Sequence, residues 1–218
     1  MYSSNFIQWF GDWTAEDKTD VSKVVDENGE PLVVYHGQVS TFKEFHPHSS
    51  ARYDKTLENG LKKKFYATSN KNIASQFAVS DDDFLSIQVL DLANEGVSES
   101  EIASNLNISV EKVQSLLTSV DDNIDDKVYP IFLNIRNPLK IDAKKVAVHE
   151  LGKDIITKIN NSEGVIITNV LESLDSNILE KLPYEFTEKV LDNPYTTDYI
   201  VSNPNQIKSA TYNNGEFS

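Results

Sequence analysis

Few side chains in this 218-residue chain could do chemistry. There is no cysteine, which leaves out a thiolate nucleophile, a thiolate metal site and a disulfide framework. Of the four histidines, His36 stands in V-V-Y-H-G-Q (33–38), at the mouth of a β-branched run and directly before a glycine. His46 and His48 are close together but lack convincing partners, so no metal site is expected. Two further stretches place a polar or aromatic group on a strand or at its end: F-Y-A-T (65–68) with Tyr66, and T-D-Y-I-V (197–201) with Asp198. An imidazole, a phenol and a short carboxylate facing one cleft can orient a polar ligand and set negative charge against it. These residues are far apart in sequence, so only a folded sheet can bring them together.

The elements that must do so are readable in outline. Val24-Val25 and Leu32 to Tyr35 are short β-branched runs separated by D-E-N-G, which predicts a hairpin, with Pro31 at the start of its second strand. Residues 41–64 are polar and irregular and read as a surface loop. K-F-Y-A-T then reads as a strand, and Ser69 as the N-cap of a helix through Ile73, Ala74 and Phe77. After a second helical region, V-Y-P-I-F-L-N-I-R-N-P-L-K-I resumes strand character. An amphipathic helix is expected around 143–160, followed by strands Gly164 to Val170 and Asp198 to Ser202. At the N-terminus, Trp9 and Trp13 at i and i+4 share one helical face and predict an apolar anchor. Short strands among helices and turns indicate a mixed α+β domain.

Composition narrows the class. The chain is 39% hydrophobic and 25% charged, as soluble globular proteins are, with a formal net charge of −14. Such a charge repels nucleic-acid phosphates and anionic membranes on average. No apolar run approaches the roughly 20 residues that span a bilayer, and the first residues lack the pattern of a secretory signal. A reducing cytoplasm suits a cysteine-free chain. The clearest local basic patch is Lys62-Lys63-Lys64.

The ordered motifs carry a resemblance. W-F-G-D at 9–12, S-K-V-V-D-E-N-G-E-P-L-V-V-Y-H-G at 22–37, F-Y at 65–66, the stretch 128–139 and the stretch 198–211 follow one another as in a known family. The chain resembles the ADP-ribosyltransferases of the histidine–tyrosine–glutamate type, which include diphtheria toxin and the poly(ADP-ribose) polymerases. It is most similar to the ADP-ribosyltransferase domains of phage polyvalent proteins. The resemblance implies a split antiparallel β-sheet formed by residues 1–80 and 128–218, with 81–127 as an inserted three-helix module. It also implies NAD as the substrate, and an activity that transfers ADP-ribose to a macromolecular acceptor, expected to be a bacterial protein in the host cytoplasm.

The resemblance assigns roles residue by residue. His36 would hydrogen-bond the adenosine-side ribose, and the backbone of Gly37 would pair with the nicotinamide carboxamide. Tyr66 would line the nicotinamide pocket, and Phe77 would stack on its ring. Ala74 falls where the polymerases carry a serine for the carboxamide, and the polyvalent domains often have alanine there. Gln38 stands where the family usually has threonine or serine and keeps a hydrogen-bonding group there. Lys64, at the end of the lysine run, could meet the pyrophosphate. Asp198 takes the place of the family's glutamate, shorter by one methylene, and would contact the ribose and polarise the acceptor. That shortening opens the alternatives of a weak or inactive scaffold acting as a DNA-binding or protein-docking regulator through the helical stretch 81–127, or of NAD glycohydrolysis.

The stretch 81–127 has acidic borders and reads as three short helices. Gly96 ends the first, Ser98 with Glu101 forms a capping box on the second, and Ser109 caps the third. The pattern resembles a helix-turn-helix. From Phe84 to Val120, however, there are five acidic residues and one basic one, Lys112. Phosphate contacts need cations, so a protein-docking surface, lid or spacer is favoured over DNA binding.

Overall fold

The computed structural model describes residues 3–38, 64–78, 81–118, 127–171 and 194–211. Its centre is a seven-stranded sheet: β1 (Val34–Gly37), β2 (Phe65–Thr68), β3 (Val128–Leu133), β4 (Leu139–Asp142), β5 (Gly164–Leu171), β6 (Tyr195–Val201) and β7 (Ile207–Ser209), in the spatial order β4-β5-β6-β2-β1-β3-β7. Every neighbouring pair is antiparallel except β4 and β5, which are parallel. The three strands that carry His36, Tyr66 and Asp198 are therefore consecutive in the middle of the sheet.

Both faces of the sheet are covered, which explains the unbroken apolar run G-V-I-I in β5. Ile166 joins Val34, Phe65, Ala67, Tyr199 and Val201 in a core on one face. Its neighbours Val165 and Ile167 join Ile200 on the other, beneath Ile156 and Ile159 of the helix Lys153–Asn161. Each such aliphatic side chain contributes about 2 kcal/mol by leaving water. A short helix, α1 (Ser4–Phe10), packs Phe6, Trp9 and Phe10 against Phe132 of β3. The helix α2 (Lys71–Phe77) lies against β1 and β2.

Three helices pack on one another as a bundle: α3 (Asp81–Asn94), α4 (Glu99–Leu106) and α5 (Val110–Thr118), around Val89, Ile102, Ala103, Val113 and Leu116. Gly96 takes a left-handed φ of 83° after α3. Ser98 and Glu101 exchange the two capping-box bonds at the start of α4. Ser109 Oγ accepts the Lys112 amide at 3.2 Å at the start of α5. Asp81, Asp82 and Asp83 are the first residues of α3. The remaining helix, Lys153–Asn161, is α6.

Several expectations need correction. The N-terminal hairpin is reduced to a single bridge, Val25 to Pro31, and the strand starts only at Val34. The turn itself is closed twice: Asp26 Oδ1 accepts the amides of Asn28 and Glu30, and main-chain bonds run from the Asp26 amide to the Glu30 carbonyl and from the Leu32 amide to the Val24 carbonyl. Trp13 is not on a helix with Trp9, because Gly11 turns to φ 99° and ends α1; Trp13 reaches Phe6 from outside it, ring centroids 6.0 Å apart. Asn70, not Ser69, caps α2, its side chain accepting the Asn72 amide at 2.9 Å. The helix expected around 143–160 begins only at Lys153, since Lys144 and Lys145 both have positive φ and start a turn.

Candidate active site

Thr68 of β2 is the hub of the central strands. It pairs with Tyr35 of β1 on one side and with Asp198 of β6 on the other. Residues directly opposite in antiparallel strands point to the same face, so Tyr35, Thr68 and Asp198 share one. Tyr66, two residues from Thr68, shares it too, packed against the cluster containing Ile200. Asp198 is 7% exposed, a buried carboxylate in the middle of a sheet.

A row of hydroxyls accompanies that carboxylate. Thr196, two residues before Asp198, meets Thr68 hydroxyl to hydroxyl at 2.5 Å, and Ser69 Oγ lies 3.0 Å from the Thr196 hydroxyl. Ser69 Oγ in turn accepts the Thr197 amide at 3.1 Å. These bonds fasten β2 to β6 directly beside Asp198. The sequence reading passed over them; the signal was the hydroxyl-rich T-S after F-Y-A and T-T before Asp198.

By alternation, the side chain of His36 leaves the sheet on the face opposite Asp198, and its ring stacks on Phe65 with centroids 4.1 Å apart. The two do not face each other across an open groove. What joins them is the seam between β1 and β2, where the ladder holds only the pair Tyr35 to Thr68. Past that pair, His36 Nδ1 lies 2.7 Å from the carbonyl oxygen of Tyr66. A carbonyl can only accept, so Nδ1 carries the proton and donates. The imidazole thus stands in for a main-chain bond where the strands part, and its tautomer is fixed by that partner. The outer nitrogen, Nε2, lies 3.3 Å from Oε1 of Gln38.

Gly37 is required by its surroundings. A Cβ there would come 1.7 Å from the carbonyl oxygen of Ala74 on α2. The absence of a side chain lets α2 seat closely on β1, where Ala74 and Ala78 pack on Tyr35. Ala74 is thereby a contact for the strand, and Phe77 follows one turn later, half-buried at the end of the same helix.

Burial raises the pKa of Tyr66 far above the ordinary phenol value. Tyr199 is pushed up to about 12, first by burial and then by the charge of Asp198. Both phenols therefore stay protonated at neutral pH.

Lys64 needs correction as a phosphate ligand. It is 4% exposed, and its Nζ donates to the Ser162 carbonyl at 2.5 Å and to Ser202 Oγ at 2.8 Å. Those partners lie at the end of β6 away from Asp198, since Phe65, the next residue, pairs with Val201. Lys62 and Lys63 lie outside the described residues.

The family profile described as "ADP-Ribosyltransferase in polyvalent proteins" matches residues 26–217, which includes β1 to β7, all three site strands and the three-helix bundle. No curated protein and no solved structure matches the chain. With the profile covering most of the sequence, the chain belongs to the ADP-ribosyltransferases of polyvalent proteins.

Proposed function

We propose that this chain transfers ADP-ribose from NAD to a macromolecular acceptor, a bacterial protein, by breaking the bond between ribose and nicotinamide. The observation that carries the reading is the buried Asp198 beside Thr68, on the strand adjacent to the seam held by His36. Cleavage of that bond develops positive charge on the ribose, and a buried carboxylate stabilises it more than the same group in water would. The logic is that of the carboxylates in glycoside cleavage.

Asp198 would take a ribose hydroxyl and steady the growing charge. Its backbone is held by the Thr68–Thr196–Ser69 bonds, which suits a carboxylate one methylene shorter than the family's usual glutamate, because a short side chain cannot correct a misplaced strand. Tyr66 and Phe77 supply aromatic surface for the nicotinamide ring. His36, fixed by the Tyr66 carbonyl, would present Nε2 to the adenosine-side ribose, and Gly37 would offer its backbone to the carboxamide. With Lys64 committed elsewhere, the pyrophosphate role is not assigned to it.

The three-helix bundle is better suited to protein than to DNA. The fully exposed side chains of α5 include Glu111, Gln114, Ser115 and Thr118, and its single cation, Lys112, is half-buried. Among the described residues, no helix is long and apolar enough to cross a membrane.

The test is incubation with adenylate-labelled NAD and a bacterial lysate. Label should appear on protein and disappear with Asp198→Ala. Nicotinamide release without labelled acceptor would instead identify a glycohydrolase, and no release at all would reject the reading.

A further inference from the structure

We infer that Gln38 gates the imidazole of His36: its carboxamide occupies the ring nitrogen that an incoming ribose hydroxyl needs, and it must swing aside before a dinucleotide can seat. The inference rests on the transferase reading and goes further, to how the site is opened. Nδ1 of His36 is committed to the Tyr66 carbonyl at 2.7 Å, so Nε2 is the nitrogen that faces a ligand. Gln38 places Oε1 3.3 Å from it. The backbone of Gln38 is anchored, its amide donating to the Lys127 carbonyl at 3.1 Å. Only side-chain rotation can therefore clear the nitrogen, and a three-torsion side chain does this without moving the strand.

The amide is a partner for either state of the ring. It can turn its NH2 to a neutral Nε2 or its carbonyl to a protonated one, so a closed pair is available in either case. A ligand that needs Nε2 competes with this internal bond, and its apparent affinity falls by the fraction of sites that are open. A hydrogen bond between half-exposed groups corresponds to a factor of about 2 to 10.

The test uses carba-NAD, which resists cleavage at the scissile bond, titrated calorimetrically into the full chain and its variants. Gln38→Ser, too short to reach Nε2, should bind about 2- to 10-fold more tightly than the unaltered chain. In a His36→Ala background the same change should give no gain. Binding by Gln38→Ser that is equal or weaker overturns the gate and leaves the transferase reading intact. If neither the unaltered chain nor any variant binds carba-NAD, the dinucleotide reading fails and the gate falls with it. Nitrogen-15 spectra of the imidazole give a second measurement that needs no loss of His36. The Nε2 resonance should move on Gln38→Ser without ligand, and in the unaltered chain on adding carba-NAD. An identical Nε2 resonance in the two ligand-free proteins would overturn the inference.

Discussion

The central seam and the three-helix bundle are built on opposite principles. In the bundle, contacts are local: a glycine stops α3, a serine–glutamate box starts α4, a serine starts α5, and one small apolar core closes over them. At the seam, contacts run between residues far apart in the chain. Thr68 joins Tyr35 and Asp198, and an imidazole completes a strand edge. Stability in the first region is a sum of small independent devices. In the second, single atoms carry large effects because the groups are buried and shared.

Substitutions should expose that contrast. The largest effect is expected at Asp198→Asn, which keeps the shape and removes the charge. Steady-state nicotinamide release should fall about 100-fold or more in kcat, about 3 kcal/mol of transition-state stabilisation, with KM little changed. A loss confined to KM would mean that the carboxylate binds but does not stabilise the reacting ribose. Next comes Gly37→Ala, where the added methyl meets the Ala74 carbonyl. Denaturant unfolding should show a loss of about 3 kcal/mol, at the upper end for overpacking, because the clash is with backbone and not with a flexible tip. A neutral result would show that α2 is loosely seated.

Lys64→Gln separates structure from ligand. With its ammonium held by Ser162 and Ser202, its loss should leave carba-NAD affinity within about twofold, whereas removal of a charged hydrogen bond to phosphate would cost about tenfold or more. In the bundle, Ser98→Ala should cost about 1 kcal/mol of local stability by hydrogen exchange, without altering turnover.

The smallest effect is one of pH. Hydrogen bonds from the Ser98 side chain and then its backbone amide lower the Glu101 pKa below 4.5 in the folded state. A depressed carboxyl contributes stability that is present above its unfolded value and is lost as pH falls through the folded value. Protection factors in α4, taken relative to the intrinsic exchange rate at each pH, should therefore fall slightly as pH drops below 4.5, and Ser98→Ala should flatten that dependence.

The same contrast explains what could be read without coordinates. Ser98, Glu101, Gly96 and Ser109 were all legible because a cap is written within four residues. The strands around His36, Tyr66 and Asp198 were legible in position, and that they come together was expected from the resemblance, not from any local pattern. Their orientation was not. Nothing local says that His36 and Asp198 leave opposite faces, that the ring bonds the Tyr66 carbonyl, or that Gly37 is small for the sake of Ala74. Lys64 misled because three consecutive lysines look solvated, whereas this one is drawn inward by a carbonyl and a hydroxyl that lie 98 and 138 residues away in sequence. The Asp26 turn differed in extent: D-E-N-G does make a turn closed by main-chain bonds, but the pairing beyond it stops at one bridge.

Amide hydrogen exchange of the intact chain, with and without carba-NAD, tests the location of the site most directly. Protection should rise at 34–38, 64–69 and 195–199, on both sides of the β1–β2 seam, and stay constant across 99–118. Protection confined to the helices, or none at a concentration where the dinucleotide is bound, would contradict the assignment of the seam as the NAD site.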